Sequence, residues 1–188
     1  MTLDAEKAAA RKTALAKRKA AHSAARSSMA SALLVAHIER IGPRNVAGYL
    51  PIRSEINPLP AMEMLVRHIP VCVPVIDAPG RPLKFREWWP ESVMESGPHG
   101  ILQPAEGAFV TPELAIVPLV AFDDQLMRLG YGGGYYDRTL PRLRAASGKF
   151  QAIGLAYGAQ QLDRVPTDPH DQRLDAVVTE KTVLTQPA

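Results

Sequence analysis

Residues 128–137 read Arg-Leu-Gly-Tyr-Gly-Gly-Gly-Tyr-Tyr-Asp, with glycine at four of the five positions from Gly130 to Gly134. A backbone with so few Cβ atoms adopts positive φ freely. Successive N–H groups can then turn inward as a nest for an anion. The run ahead of this segment, Leu114 to Phe122, is the most strand-like in the chain. The residues after it, Tyr135 to Ala146, read as a helix in which Pro141 marks a kink or an early turn. A strand, a Gly-rich loop and a helix in that order make a phosphate site, because the helix start adds about half a positive charge. Arg128 contributes a permanent fork of donors, and Asp137 could hold a magnesium ion against phosphate oxygens. The spacing is neither a P-loop, since no Lys-Ser/Thr pair follows the last glycine, nor the dinucleotide fingerprint. The plain alternative is a Gly-rich turn above two packed tyrosines; the flanking charges and the strand–loop–helix order favour phosphate.

The rest of the chain supplies the frame for such a loop. Residues 5 to about 40 are rich in Ala, Lys, Arg and Leu, lack Gly and Pro, and stop at Gly42-Pro43, which predicts helix with a break or a second start at Ser27-Ser28. Short strands are expected at 46–52, 69–76, 83–89, 152–157 and 176–178, with a helical turn or two within 58–67. Residues 91–111 are dense in Pro and Gly and read as a long ordered loop anchored by Ile101 and Phe109. Pro118 inside the strongest strand predicts a bulge or an unpaired edge. Strands alternating with helices give an α/β class: one domain over residues 1–188, its largely parallel or mixed sheet flanked by helices, with a basic N-terminal helix. Ligands of such sheets bind beyond the carboxyl ends of the strands, where the Gly-rich loop falls.

Composition narrows the function. Hydrophobic residues make up 46% and charged residues 22% of the 188 residues, a globular balance. No apolar run is long enough to span a bilayer, and the start lacks the apolar core of a secretory signal. The single cysteine, Cys72, sits between valines and is expected in the core; one cysteine cannot form an internal disulfide, which suits a reducing cytoplasm. The net charge of +3 is uneven. Residues 1–26 carry seven Lys/Arg against two acids, a surplus of five, so the remainder sums to −2. Such a segment serves either as a nucleic-acid arm or as cations placed over an anionic ligand. At 100° per residue, Lys7, Arg11 and Arg18 share one stripe, and its first members could reach the same phosphates as Arg128. Lys12, Lys17 and Lys19 point elsewhere. A rigid acid-and-proline loop, Pro166 to Asp175, could present a carboxylate to a metal.

Taken in order, these segments resemble the 5-formyltetrahydrofolate cyclo-ligase family, also called methenyltetrahydrofolate synthetase. The similarity is carried by Lys7 and Arg11, by Tyr49-Leu50-Pro51 with Glu55-Ile56, and by Pro82 to Arg86. It continues through Arg128 to Asp137, the most specific signature, then Gly154 to Tyr157, and Pro169-His170-Asp171 through Glu180. The resemblance implies ATP-dependent closure of 5-formyltetrahydrofolate to 5,10-methenyltetrahydrofolate, giving ADP and phosphate, with magnesium. It assigns ATP to Lys7, Arg11, Arg128, Leu129, Gly130, Tyr131, Gly132, Gly133, Gly134, Tyr135 and Tyr136. It assigns the folate to Leu50, Glu55 and the Tyr131 to Tyr135 stretch, and magnesium to Asp137 and Asp171. Asp123 and His170 would stand behind the site without a chemical role. The sequence departs from the expected pattern at Gln103, where an acidic residue would be looked for. A monomer is expected, with neither nucleic-acid nor membrane partner. The rival readings are a relative that binds nucleotide without turning it over and, less favoured, a basic nucleic-acid-binding protein, against which the acidic body argues.

Overall fold

Alternation along the strands decides the layers. Val71 and Val73, Leu114 and Ile116, Ile153 and Leu155, and Ala176 and Val178 pack on one face with Leu34, Val35 and Ile38. The residues between them, Cys72, Ala115, Val117, Ala152 and Val177, pack on the other face with Leu140 and Leu143. Period-two side chains on a sheet covered on both sides produce this pattern. The computed structural model describes residues 2–186. Its elements run α1 (Leu3–Ala21), α2 (Ala24–Ile41), β1 (Val46–Ala47), α3 (Leu59–Leu65), β2 (Val71–Val75), β3 (Lys84–Glu87), β4 (Met94–Ser96), β5 (Leu102–Pro104), β6 (Leu114–Pro118), β7 (Ala121–Phe122), β8 (Arg128–Leu129), α4 (Tyr135–Ala146), β9 (Gln151–Leu155), β10 (Ala176–Val178) and β11 (Val183–Thr185).

Seven strands form one sheet in the order β11-β10-β9-β6-β1-β2-β3. The five inner strands are parallel, and β3 and β11 are antiparallel at the edges, so the sheet is mixed. Helix α2 covers one face and α4 the other. Helix α1 buries its last residue, Ala21, in the α2-side core and docks Ala14 against Val120, Ala121 and Leu129 around the β7–β8 ribbon. That ribbon rises from the carboxyl end of β6, so the sheet, α1 and the Gly-rich loop meet at one end.

Two local features test the packing. A Cβ on Gly154 in β9 would lie 2.7 Å from Leu119 Cδ2 and from Leu174 Cδ1. Gly154→Ala should therefore cost about 1–3 kcal/mol through overpacking, seen as a lower urea midpoint with an unchanged slope. At the sheet's other end Glu113 accepts from the Arg44 backbone N–H at 2.9 Å and from Arg44 Nε at 2.5 Å, tying the start of β1 to that of β6. The Arg44 hydrogen bonds hold the Glu113 carboxyl below its ordinary range. A depressed carboxyl contributes stability above its unfolded pKa of about 4.3 that is lost as pH falls through the folded value. Urea midpoints at pH 5, 4 and 3 should fall more steeply for the wild type than for Glu113→Gln; parallel slopes would refute the linkage.

Several sequence expectations are corrected. The helical break falls at His22-Ser23, not at Ser27-Ser28. Ser27 lies inside α2, buried, bonded to the Tyr157 hydroxyl at 3.2 Å and accepting from Asn57 N–H at 3.3 Å. The strand at 46–52 stops at Ala47, because Tyr49 turns inward to donate to Ile56 O at 2.7 Å and the chain loops. The supposed loop at 91–111 contains the β4–β5 hairpin, and Phe109 is exposed rather than an anchor, with Lys84 and Arg86 over its ring. The run 114–122 divides between two sheets at Pro118. There β6 has β9 beside it (Pro118↔Leu155) while β1 has already ended, so a residue without an N–H is tolerated. Cys72 is buried as expected, its thiol pushed up to about 12 by burial. Strand β11 carries too little apolar pattern to have been expected.

Candidate functional site

Helix α1, distant in sequence, and the adjoining α4 both grip the Gly-rich loop. From α1, Arg11 Nε donates to Gly130 O at 2.9 Å. From α4, Arg138 donates to Gly133 O. With these carbonyls held, the turn is set by Gly132 at φ 102 and Gly134 at φ 63, which a side chain would strain. Gly134 is also the N-cap of α4 and makes no side-chain hydrogen bond to its first turn. The positive end of the helix dipole at this start suits an anion. Arg128 is 5% exposed and donates to Asp137 Oδ1 at 2.7 Å and to Gln172 O.

The acid-and-proline loop reaches the same place. Asp137 Oδ1 also accepts from the Gln172 N–H at 3.1 Å, which ties the loop carrying Asp171 to the start of α4. Lys7 Nζ bridges Asp168 Oδ2 and Asp171 Oδ2, each at 2.6 Å. Burial opposes the Lys7 charge, but the hydrogen bonds and charges of the two aspartates outweigh it and leave its pKa above the ordinary value. The Lys7 hydrogen bond in turn holds the Asp168 carboxyl low, aided by the His170 N–H. The basic stripe thus faces the loop, and Lys12, Lys17 and Lys19 are exposed.

A tightly turned loop follows β1. Its turn at Ile52 to Glu55 is closed twice: Glu55 N–H donates to Ile52 O at 3.0 Å, and Ile52 N–H donates to Glu55 Oε2 at 2.9 Å. Glu55 is buried, and burial pushes its carboxyl above the ordinary range, opposed by the Ile52 N–H and by Arg18. Leu50 is half-buried on the same loop and Tyr131 is 40% exposed opposite it. Tyr135 stacks under Arg138.

Leu129 and Tyr136 sit differently from the other residues assigned by resemblance. The Leu129 side chain packs against α1 and its carbonyl accepts from Val120 N–H, so it holds the ribbon. Tyr136 packs against the core under α4, with its hydroxyl buried and unpartnered among the described residues. Asp123 accepts from the N–H groups of Gln125, Met127 and Val165 and shapes the β7–β8 turn; His170 is exposed. Gln103 donates to Glu95 Oε1 at 3.0 Å across the β4–β5 hairpin, so that departure is a cross-strand contact. Asp168 and Arg18 were not singled out as site residues. The Asp-Pro-His-Asp string signalled the first and the helical stripe the second.

This fold and site define an α/β protein whose Gly-rich loop is gripped by a basic helix. The family model described as the 5-formyltetrahydrofolate cyclo-ligase family matches residues 4–180. The chain is 35% identical over 141 residues to the 5-formyltetrahydrofolate cyclo-ligase of Haemophilus influenzae, covering 71% of this chain and 74% of that protein. It is 34% identical over 148 residues to the Escherichia coli protein of the same name, covering 73% and 79%. The solved structure of Aquifex aeolicus 5,10-methenyltetrahydrofolate synthetase superposes with a TM-score of 0.78 at 32% identity, over 95% of this chain and 92% of that one. That of the Mycoplasma pneumoniae synthetase gives 0.73 at 27% identity, over 94% and 99%. The chain belongs to the 5-formyltetrahydrofolate cyclo-ligase family.

Proposed function

We infer that the chain carries out its family's reaction, closing 5-formyltetrahydrofolate to 5,10-methenyltetrahydrofolate with conversion of ATP to ADP and phosphate. The observation that carries this is the gathering of cations around the Gly-rich loop and the start of α4: Arg11 on Gly130 O, Arg128 on Asp137, and Lys7 on the acid loop that Gln172 ties to Asp137. A formamide carbon is a weak electrophile and its oxygen a poor leaving group. Phosphorylating that oxygen makes it leave readily, and the N10 amine then closes the ring and expels phosphate. Such chemistry needs positioning and charge neutralisation above all. Lys7, Arg11 and the loop N–H groups hold the triphosphate, and Arg128 orients Asp137. Leu50, Glu55 and the Tyr131 to Tyr135 stretch hold the folate, with Glu55 accepting from adjacent donors on the pterin ring.

Magnesium favours hard oxygen ligands, commonly one or two carboxylates with the rest from phosphate and water. Asp137 and Asp171 are of that donor type, and the Gln172 N–H ties the loop carrying Asp171 to Asp137. When bound, the ion would neutralise charge on the transferring phosphoryl group. No helix among the described residues is long and apolar enough to cross a membrane. The lone buried cysteine supports a reducing cytoplasm as the compartment.

The test is the absorbance of the methenyl product, followed with purified protein, 5-formyltetrahydrofolate, magnesium and ATP. Product should require both ATP and magnesium. ATP binding without product would instead support a relative that has lost turnover, and product insensitive to chelation would remove the metal assignment.

A further inference from the structure

Arg18 belongs to the basic stripe of α1 but reaches neither the Gly-rich loop's carbonyls nor the acid loop. It is 1% exposed, among the most deeply buried large side chains. Its Nε donates to Ser54 Oγ at 3.2 Å and its Nη2 to the Tyr131 hydroxyl at 2.5 Å. Its guanidinium carbon stands 5.3 Å from the Tyr131 ring centroid. Nη1 lies 3.9 Å from Glu55 Oε1 and has no hydrogen-bond partner among the described residues. A buried donor left unsatisfied is costly. Its persistence beside a buried carboxylate marks a place where a bond is completed when the pocket fills.

We propose that Arg18 is a positioning residue of the folate pocket, clamping Tyr131 of the nucleotide loop against Glu55 of the folate loop and supplying the buried positive charge that Glu55 faces. The inference rests on the assignment of Glu55 to the pterin ring. Glu55 is faced by Arg18 from α1, by Arg53 and the Ile52 N–H from its own loop, by Tyr131 from the Gly-rich loop, by Tyr136 from α4 and by Tyr49 beyond β1. Of the two cations, Arg53 is exposed, so solvent screens it, and Arg18 alone acts through a low-dielectric interior. An ionised Glu55 can accept two pterin hydrogen bonds, whereas a protonated one spends an oxygen as a donor.

The test measures KM for 5-formyltetrahydrofolate and for ATP separately, from mildly acidic to mildly alkaline pH, in the wild type, Arg18→Met, Arg18→Lys, Glu55→Gln and the Arg18→Met/Glu55→Gln double variant. Arg18→Met should raise the folate KM about tenfold or more and leave the ATP KM unchanged. Without Arg18 the Glu55 carboxyl titrates at higher pH, so this folate KM should fall as pH rises, a trend weaker or absent in the wild type. Arg18→Lys keeps the charge but loses the fork, so it should raise the folate KM with a wild-type pH profile. The double variant should show none of the added pH dependence. An Arg18→Met enzyme with the wild-type folate KM and profile overturns the proposal. Should that variant not fold, Arg18→Lys decides: an unchanged folate KM overturns it equally. Glu55→Gln separates the two ideas. If it leaves the folate KM unchanged, the pterin assignment fails; if it weakens folate while Arg18 variants do not, only the role of Arg18 fails.

Discussion

Asp137→Ala should lower kcat/KM by about a thousandfold, the scale set by removing one electrostatic support of a transition state. Three losses coincide. The carboxylate proposed to hold magnesium disappears. Arg128, 5% exposed, loses the acceptor its Nη2 meets at 2.7 Å. The Gln172 N–H loses its acceptor, which frees the loop carrying Asp171. Stranding a buried guanidinium also costs stability, though the 28% exposure of the Asp137 side chain lets water repay part of it. Asp137→Asn isolates the metal role, because an amide oxygen still accepts from Arg128 and from Gln172. It should lose less stability than the Ala variant, keep its ATP affinity in the absence of magnesium and still lose most turnover. An Asn variant with wild-type activity and an unchanged magnesium requirement would remove Asp137 from the metal site.

How far the sequence disclosed this arrangement depends on the range of the interaction involved. The Gly-rich loop was legible because its demand is local: Gly132 and Gly134 sit at positive φ and the helix begins at once behind them. The stripe of Lys7, Arg11 and Arg18 was legible because helical geometry is periodic, although its partners were not. Nothing in the spacing shows that Lys7 meets Asp168 and Asp171, more than 160 residues away. Those contacts exist because the sheet order brings the loop before β10 beside the ribbon that α1 packs on.

Other features were hidden because tertiary demand overrode local preference. Ser27-Ser28 looks like a helix break, yet Ser27 earns its place inside α2 by meeting Tyr157 across the core. The run 46–52 has strand composition, but Glu55 and Tyr49 close it into a turn through hydrogen bonds to residues within a few positions. That turn requires Arg53 at φ 55, a conformation that its residue type does not advertise. The parallel order of the inner strands followed from strand and helix alternation; the antiparallel β11 did not, since its half-buried residues carry no clear period.

Glu55→Gln should raise the folate KM about a hundredfold and leave the ATP KM unchanged. The amide keeps the size of the carboxyl and can still accept from Ile52 N–H. It replaces one of two acceptor oxygens with a donor, so one pterin N–H would face an N–H across a buried pocket. The same substitution should favour folding as pH rises, and the sign follows from the shift. Burial raises the Glu55 carboxyl above its ordinary value. A raised acid binds more protons folded than unfolded, so the wild type loses stability as pH climbs from the unfolded value, about 4.3, through the folded one. The glutamine does not titrate. Urea midpoints at pH 4, 6 and 8 should therefore shift toward the variant with increasing pH, while its folate KM stays poor throughout. Opposite movement of stability and substrate affinity at one residue is the signature of a charge kept buried for binding. A variant that bound folate normally would show that the pterin is held elsewhere. One whose relative stability fell with pH would show instead that Arg18 and the Ile52 N–H more than offset the burial of the charge.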